Sequence, residues 1–217
     1  MRIETPISGI SIKHHTSAIH VQSQTQLTTL SSSFHGGGFR RVRHILNTNV
    51  SVDYCSDAPT ADLERIAIEC DINGAFIGLL TAVPLHRARL AVAEENGLRV
   101  AVLATAGIGN ATSAGISAPH NATPGTINLI VLVDAALTRP AMVNAIITAT
   151  EAKTATLTEM TILTADGALA TGTSTDTVTI ASTGIGVLHP YAGPATVPGW
   201  LIANAVRRAV RDSLLAE

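Results

Sequence analysis

The chain has 217 residues, of which 46% are hydrophobic and 14% charged, with a formal net charge of -2. That length and composition point to one folded domain over 1–217 with ample apolar material for a core, and give no electrostatic footprint for nucleic acid. The longest apolar run, "TINLIVLVDAAL", falls short of the ~20 residues a membrane helix needs and is interrupted by Asn128 and Asp134, so no membrane partner is expected.

At the amino end, "GISIKHHTSAIHVQSQTQLTTLSSS" alternates, with Ile10 and Ile12 and then Ile19 and Val21 facing one way. The start lacks the apolar core of an export signal, which predicts a cytoplasmic protein, and Cys55 and Cys70 are too few for a disulfide framework. β-branched residues at period two predict strands joined by short turns, so 1–50 is read as mainly β, antiparallel. After the Gly36-Gly37-Gly38 break, "FRRVRHILNTNV" reads as an edge strand or an extended loop, and its Arg40, Arg41 and Arg43 as a solvated edge. From 51 on the pattern alternates between helix and strand. "TADLERIAIEC" carries Leu63, Ile66, Ala67 and Cys70 at helical spacing, with Thr60 as the expected N-cap. "GAFIGLL" is a buried strand, "PLHRARLAVAEENG" a helix opened by Pro84 and closed by Asn96-Gly97, and "LRVAVLAT" the next buried strand.

About 20 residues, 106 to 125, then separate that strand from the next, "GTINLIVLVDA". A connection this long is more often functional than not. Either this is a flexible turn, or Gly107 and Gly109 let backbone N–H groups approach an anion or amide, with Asn110 adding a side-chain donor. "GIGNAT" also resembles the opening of a dinucleotide-binding fingerprint, but the match fails at Thr112, where the third glycine belongs. "RPAMVNAIITATEAKTATLTEM" is a long helix, "DTVTIAS" a strand, and "WLIANAVRRAVRDSLLA" a closing amphipathic helix with Leu201, Ile202, Ala205, Val206, Ala209 and Val210 inward. The fold class is α/β: a single domain with a mixed sheet, antiparallel at its amino-terminal part, packed against helices. Exposed sheet edges in such a domain make a homo-oligomer an open expectation.

No Asp, Glu, Lys or Arg occurs between 101 and 133, so the charges that follow stand out. On the long helix Asn144, Thr148, Glu151 and Thr158 fall near one face, and Lys153 lies about 200° round the wheel from Glu151. Either both flank the surface, or Glu151 faces a cavity as a general base. Asp176, in "GTSTDTV", stands where a strand mouth presents ligands or closes a turn. The eight histidines, His14, His15, His20, His35, His44, His86, His120 and His189, show no metal-binding spacing, and no serine-hydrolase elbow is present. Thr126, after Gly125, would act as an amino-terminal threonine only in a chain cut at that bond.

Taken in order, "TAGIGNATSAG", "GTINLIVLVDAAL", "AMVNAIITATEAKTATL", "ATGTSTDTVTIAS" and "YAGPATVPGWLIANAV" resemble the signature segments of the adenosylcobinamide amidohydrolase family, from about 75 to the carboxyl end. The resemblance implies a hydrolase that cleaves the amide between a corrinoid's propionyl side chain and aminopropanol, with adenosylcobyric acid and 1-aminopropan-2-ol as products. The expected partner is a small-molecule corrinoid. The only cobalt would be the substrate's, with no protein-bound metal or other cofactor. Such chemistry needs an activated nucleophile or water, oxyanion stabilisation and a proton for the leaving amine. The catalytic candidates are Glu151 as base on water, Lys153 as an assisting group and Asn128 as an oxyanion donor. Gly107, Gly109, Asn110, Thr126 and Asp176 are the candidates for substrate binding. The site is expected at the carboxyl ends of the central strands, with Glu151 and the 107–109 bend bordering one cavity. Two alternatives stand beside this one: a corrinoid-binding protein without turnover, and a nucleotide-binding domain built around "GIGNAT".

Overall fold

The structure, a computed structural model, describes residues 2–119 and 125–216. His120 lies outside the described residues. In chain order the strands are β1 (Arg2–Glu4), β2 (Ile10–His14), β3 (Ala18–Ser31), β4 (Gly38–Asn49), β5 (Phe76–Thr81), β6 (Arg89–Glu95), β7 (Leu98–Ala106), β8 (Ala111–Thr112), β9 (Ile127–Val133), β10 (Ala136–Leu137), β11 (Gly172–Thr173), β12 (Thr177–Ser182) and β13 (Leu188–His189). The helices are α1 (Pro59–Glu69), α2 (Arg139–Glu159) and α3 (Val197–Leu214).

Nine strands form one mixed sheet in the order β1-β2-β3-β12-β9-β7-β6, with β4 paired to both β3 and β5. The 14-residue strand β3 is shared between two halves. Its first part pairs with β2, its last residues pair with β12, and β4 runs beside both. The register of β3 against β4 shifts between Gln22 and Leu27, and such irregularities sharpen local twist and bend a strand. The bend lets one half of the sheet fold over the other.

Three cores result from period-two alternation on two-faced strands. Between the two halves lie Ile10, Ile12, Ile19, Val21, Ile45 and Leu79 from one side, and Leu103, Ile130 and Leu132 from the other. The opposite face of β7, β9 and β12 is covered by α2 and α3, where Leu129, Val131 and Ile180 meet Met142, Ala145, Ile202 and Val206. The outer face of β4 and β5 is covered by α1 through Leu46, Leu63, Ile66 and Phe76. The layers therefore run helix, sheet, sheet, helix. β9 is buried along its whole length, which is why "INLIVLV" is apolar without alternation apart from Asn128. Fully burying a side chain such as Ile130 contributes roughly 2 kcal/mol.

The closing helix buries the six residues expected of it, and its N-cap Thr196 accepts a hydrogen bond from Gly199 N. α2 is capped in the same way by Thr138, which accepts from Ala141 N. Three expectations change. β4 is no edge or loop, because it is hydrogen-bonded on both sides. The Thr60 cap is not formed, since α1 begins at Pro59 and Ala58 occupies the cap position with no side-chain bond. The segment expected as a helix over 84–97 is a short 3-10 turn, Leu85–Arg87, followed by β6. There Asn96 and Gly97, with φ of 51° and 82°, form the tight turn of the β6–β7 hairpin. Two consecutive positive φ values are what a two-residue hairpin turn requires, and Asn-Gly is the dipeptide that tolerates them.

His20, 1% exposed, lies on the same face of β3 as Ala18, with Nε2 2.9 Å from His44 Nδ1. Burial first, then the charges of His44, Lys13 and His15, push its pKa down to about 4. An unfolded histidine titrates near 6.5, so between about pH 6.5 and 4 the unfolded chain takes up a proton that the folded chain refuses. Stability therefore falls as pH drops through that window, by at most about 3 kcal/mol from this group. Urea midpoints measured across that range should decline in the wild type and decline less in His20→Gln. Equal slopes would remove His20 as the cause.

Candidate active site

The central core ends in a polar layer. Asn47, Thr105 and Asn128 alternate in phase with Ile45, Leu103 and Ile130, so their side chains enter the space between the two half-sheets. Burial of amides there is tolerated only because each is satisfied. Asn128 Nδ2 donates to Asn47 Oδ1 at 2.9 Å and to Leu80 O at 2.8 Å, while Asn47 Nδ2 donates to Thr105 Oγ1 at 3.0 Å. A backbone carbonyl can only accept, so the contact to Leu80 O fixes which atom of Asn128 is the nitrogen. Both of its N–H donors are thus engaged, and its carbonyl faces the Thr126 hydroxyl at 3.3 Å. The expected oxyanion-donor role of Asn128 is replaced by that of an anchor for Thr126.

Above this layer opens a cavity of about 230 Å³ whose lining includes Ser33, Phe34, Tyr54, Thr81, Thr126 and Thr175. It lies at the amino ends of β9 and β12 and the carboxyl ends of β4 and β5, rather than at the carboxyl ends of the central strands. The reason is topological: β9 runs antiparallel to β7, so the loop leaving β7 meets the start of β9. Leu79, Leu80, Val50 and Ala82 supply an aliphatic wall, and Phe34 stands 57% exposed at the rim.

Thr126 is held from both sides. Its hydroxyl donates to Thr175 O at 2.8 Å, and its own carbonyl accepts from Gly107 N at 3.0 Å. The Thr175 hydroxyl in turn donates to Gly125 O at 2.8 Å. Thr175 therefore brackets the Gly125–Thr126 peptide, with its hydroxyl on the carbonyl before Thr126 and its main-chain oxygen on the hydroxyl that follows. Asn110 Nδ2 stands behind it, 2.8 Å from Ser174 Oγ and 3.4 Å from Thr175 Oγ1.

Behind the start of β9 sits a buried ion pair, Lys153 Nζ to Asp176 Oδ2, with side-chain exposures of 7% and 14%. Asp176 also accepts from Ile127 N at 3.0 Å, Thr173 N at 3.2 Å and Thr173 Oγ1 at 2.5 Å. So many donors around one carboxylate are what a buried negative charge needs. The pair fixes the residue that follows Thr126 rather than lining the cavity.

Glu151 does not belong to this arrangement. It is exposed on α2 and lines no part of the cavity, whereas Lys153 is the residue turned inward. Two positions apart on the helix, the two side chains diverge, and the inward one is Lys153, not the Glu151 expected as base. Thr148, expected on the Glu151 face, is buried with its hydroxyl on Ala192 O, beside the apolar stripe Ala141, Ala145, Ala149 and Ala152 that sets which side faces the sheet. Glu151→Gln should leave amide hydrolysis unchanged and shift stability by no more than about 0.5 kcal/mol, measured by urea titration beside a rate assay.

Of the glycines, Gly107 is required by packing, since a Cβ there would meet Val83 Cγ2 at 2.6 Å, while one at Gly109 would meet nothing within 4 Å. Neither lines the cavity, and the expected glycine bend contributes only the Gly107 N–H on Thr126. "GIGNAT" leads into the short strand β8 rather than a helix, so it lacks the context of a dinucleotide loop. Thr175, Ser33 and Tyr54 were not singled out from the sequence. No periodicity distinguishes one hydroxyl in so threonine-rich a chain.

Across residues 3–217 the chain matches the family model described as adenosylcobinamide amidohydrolase. It is 31% identical over 209 residues to the adenosylcobinamide amidohydrolase of Methanosarcina mazei, covering 90% of this chain and 96% of that one. It is also 38% identical over 147 residues to the protein of that name from Halobacterium salinarum, covering 63% and 57% respectively. In architecture it is similar to the crystal structure of the PH0078 protein of Pyrococcus horikoshii OT3, with a TM-score of 0.50 at 15% identity over 94% of this chain and 79% of the other. With a match over nearly its whole length, the chain belongs to the adenosylcobinamide amidohydrolase family.

Proposed function

We propose that the chain hydrolyses the amide joining the propionyl arm of adenosylcobinamide to aminopropanol, giving adenosylcobyric acid and 1-aminopropan-2-ol, with the scissile amide laid against Thr126. The observation that carries this reading is Thr126, a residue only 3% exposed that lines a largely aliphatic cavity and whose hydroxyl is held by Thr175 O and Asn128 Oδ1. A cavity of about 230 Å³ accommodates the aminopropanol arm but not a corrin ring, so the macrocycle would rest on the rim, against Phe34 and Tyr54.

In that pose the Thr126 oxygen bonds to the amide carbonyl carbon, the C–N bond breaks, and aminopropanol leaves with the hydroxyl proton; water then hydrolyses the resulting ester, giving the corrinoid acid and restoring the Thr126 hydroxyl. Among the hydroxyls that line the cavity, Ser33 donates to Gly78 O and Thr175 to Gly125 O, while Thr81, whose oxygen accepts from Val83 N at 3.1 Å, can turn its O–H toward the developing oxyanion. Asn128 and the Lys153–Asp176 pair act at one remove, holding Thr126 and Ile127 in place. Incubation with adenosylcobinamide followed by mass spectrometry tests this. Cobyric acid and free aminopropanol are expected; a spectral shift on binding without release of aminopropanol would reassign the chain to corrinoid binding.

A further inference from the structure

We propose that the chain cleaves its own Gly125–Thr126 peptide bond, and that the mature enzyme works with Thr126 as an amino-terminal nucleophile. The inference rests on the assignment of Thr126 as nucleophile and extends it to a second activity.

The first observation is a missing group. Among the described residues lining the cavity there is no carboxylate, histidine, lysine or cysteine; the side chains are aliphatic, aromatic or hydroxyl. A threonine hydroxyl is a weak nucleophile unless a base takes its proton. Glu151 is exposed, and the Lys153–Asp176 pair is engaged beneath Ile127, so neither serves. An α-amine on Thr126 itself would be that base, placed beside its own hydroxyl and titrating near 7.7–8.0 in an ordinary setting.

The second observation is the handling of the bond before Thr126. The Gly125 carbonyl accepts a hydrogen bond from Thr175 Oγ1 at 2.8 Å, with Asn110 Nδ2 behind that hydroxyl. This is the placement of an oxyanion donor, on a peptide carbonyl whose next residue carries a hydroxyl held by Thr175 O and Asn128 Oδ1. Gly125 has a φ of 136°, and a Cβ on it would stand 2.8 Å from Asn110 Oδ1, so only glycine fits the carbonyl into this cradle. Downstream, Gly107 N on Thr126 O and Asp176 on Ile127 N clamp the segment that keeps its place after cleavage.

The chemistry balances with water alone. Thr126 Oγ bonds to the Gly125 carbonyl carbon, the C–N bond breaks, and the hydroxyl proton passes to the departing Thr126 nitrogen, leaving an ester between Gly125 and Thr126 Oγ. During this step the Thr175 hydroxyl holds the oxyanion on Gly125 O. Water then cleaves the ester, giving a Gly125 carboxylate, the regenerated Thr126 hydroxyl and a free α-amine. The two pieces remain together because β9, after the cut, pairs with β7 before it, and β12 pairs with β3.

Denaturing mass spectrometry and amino-terminal sequencing of the purified full chain test the proposal. Pieces 1–125 and 126–217 are expected, the second beginning at Thr126 and co-eluting with the first in native gel filtration. Thr126→Ala should stay whole with an unchanged circular dichroism spectrum, Thr126→Ser should still cleave, and Thr175→Val should cleave about 10²-fold more slowly. A wild-type chain that stays whole while hydrolysing adenosylcobinamide at full rate would overturn self-cleavage and leave the proposed substrate standing. A chain cleaved at this bond but inactive on adenosylcobinamide would do the reverse. Equal cleavage in Thr126→Ala would assign the cut to a foreign protease and overturn the proposal.

Discussion

Replacing Thr126 with valine is expected to lower kcat for adenosylcobinamide hydrolysis by about 10³-fold or more, with corrinoid binding retained. Valine keeps the branched shape and replaces only the hydroxyl, so the loss isolates the nucleophile from the packing. The folded protein should lose about 1–3 kcal/mol as well, because Thr175 O and Asn128 Oδ1 then face a methyl group. Serine at the same position should keep most of the rate. Rates under saturating substrate, with Kd from the corrinoid spectrum, separate the two effects. A valine variant within tenfold of the wild type would move the nucleophile elsewhere.

Breaking the buried ion pair is expected to have the largest effect on stability. Lys153→Met leaves the Asp176 carboxylate buried without its counter-ion, and Asp176→Asn leaves the Lys153 ammonium in the same position, so each single change should cost about 3–5 kcal/mol in urea unfolding. The two differ in what else they disturb. Asparagine can still accept from Ile127 N through its remaining oxygen, whereas Asp176→Ala removes that anchor and should also lower kcat/KM by letting the start of β9 drift from Thr175. A Lys153→Met, Asp176→Leu double variant should recover part of the lost stability, since replacing both charges leaves none unpaired. Full additivity of the two single losses would show that the groups do not act as a pair.

The legible parts of the fold were those where one physical signal dominated. α3 could be read to the residue because its inward stripe meets an arginine-rich outer face, and β9 because the five successive apolar residues 129–133 have no reason to be exposed. β6 was read as a helix because its apolar residues pack on both faces of the sheet: Ala91 and Ala93 on one core, Leu90 and Val92 on the other, which erases alternation. Asn96-Gly97 decided the matter, and the same dipeptide that ends a helix also turns a hairpin. On α2 the alanine and threonine residues carry so weak a polarity contrast that neither face announces itself as inward. Neither of the two sequence readings, both residues on the surface or Glu151 inward, matches the buried Lys153 and exposed Glu151.

The site divides in the same way. Asn128, Lys153 and Asp176 stand out in the sequence as polar residues in apolar or uncharged surroundings, and Thr126 as the residue after Gly125; all four lie within one hydrogen-bonded neighbourhood around the start of β9. Thr175, Ser33 and Tyr54 could not be chosen, because a hydroxyl acquires a role only from the carbonyl or cavity it faces. Sequence alone established the family and the alternating α/β character, since both rest on local order and on patterns within single segments. Which polar groups meet was decided by the tertiary fold. The bend in β3 closes one half-sheet over the other, and contacts between residues as distant as Asn47 and Asn128 depend on that closure, which no local pattern encodes.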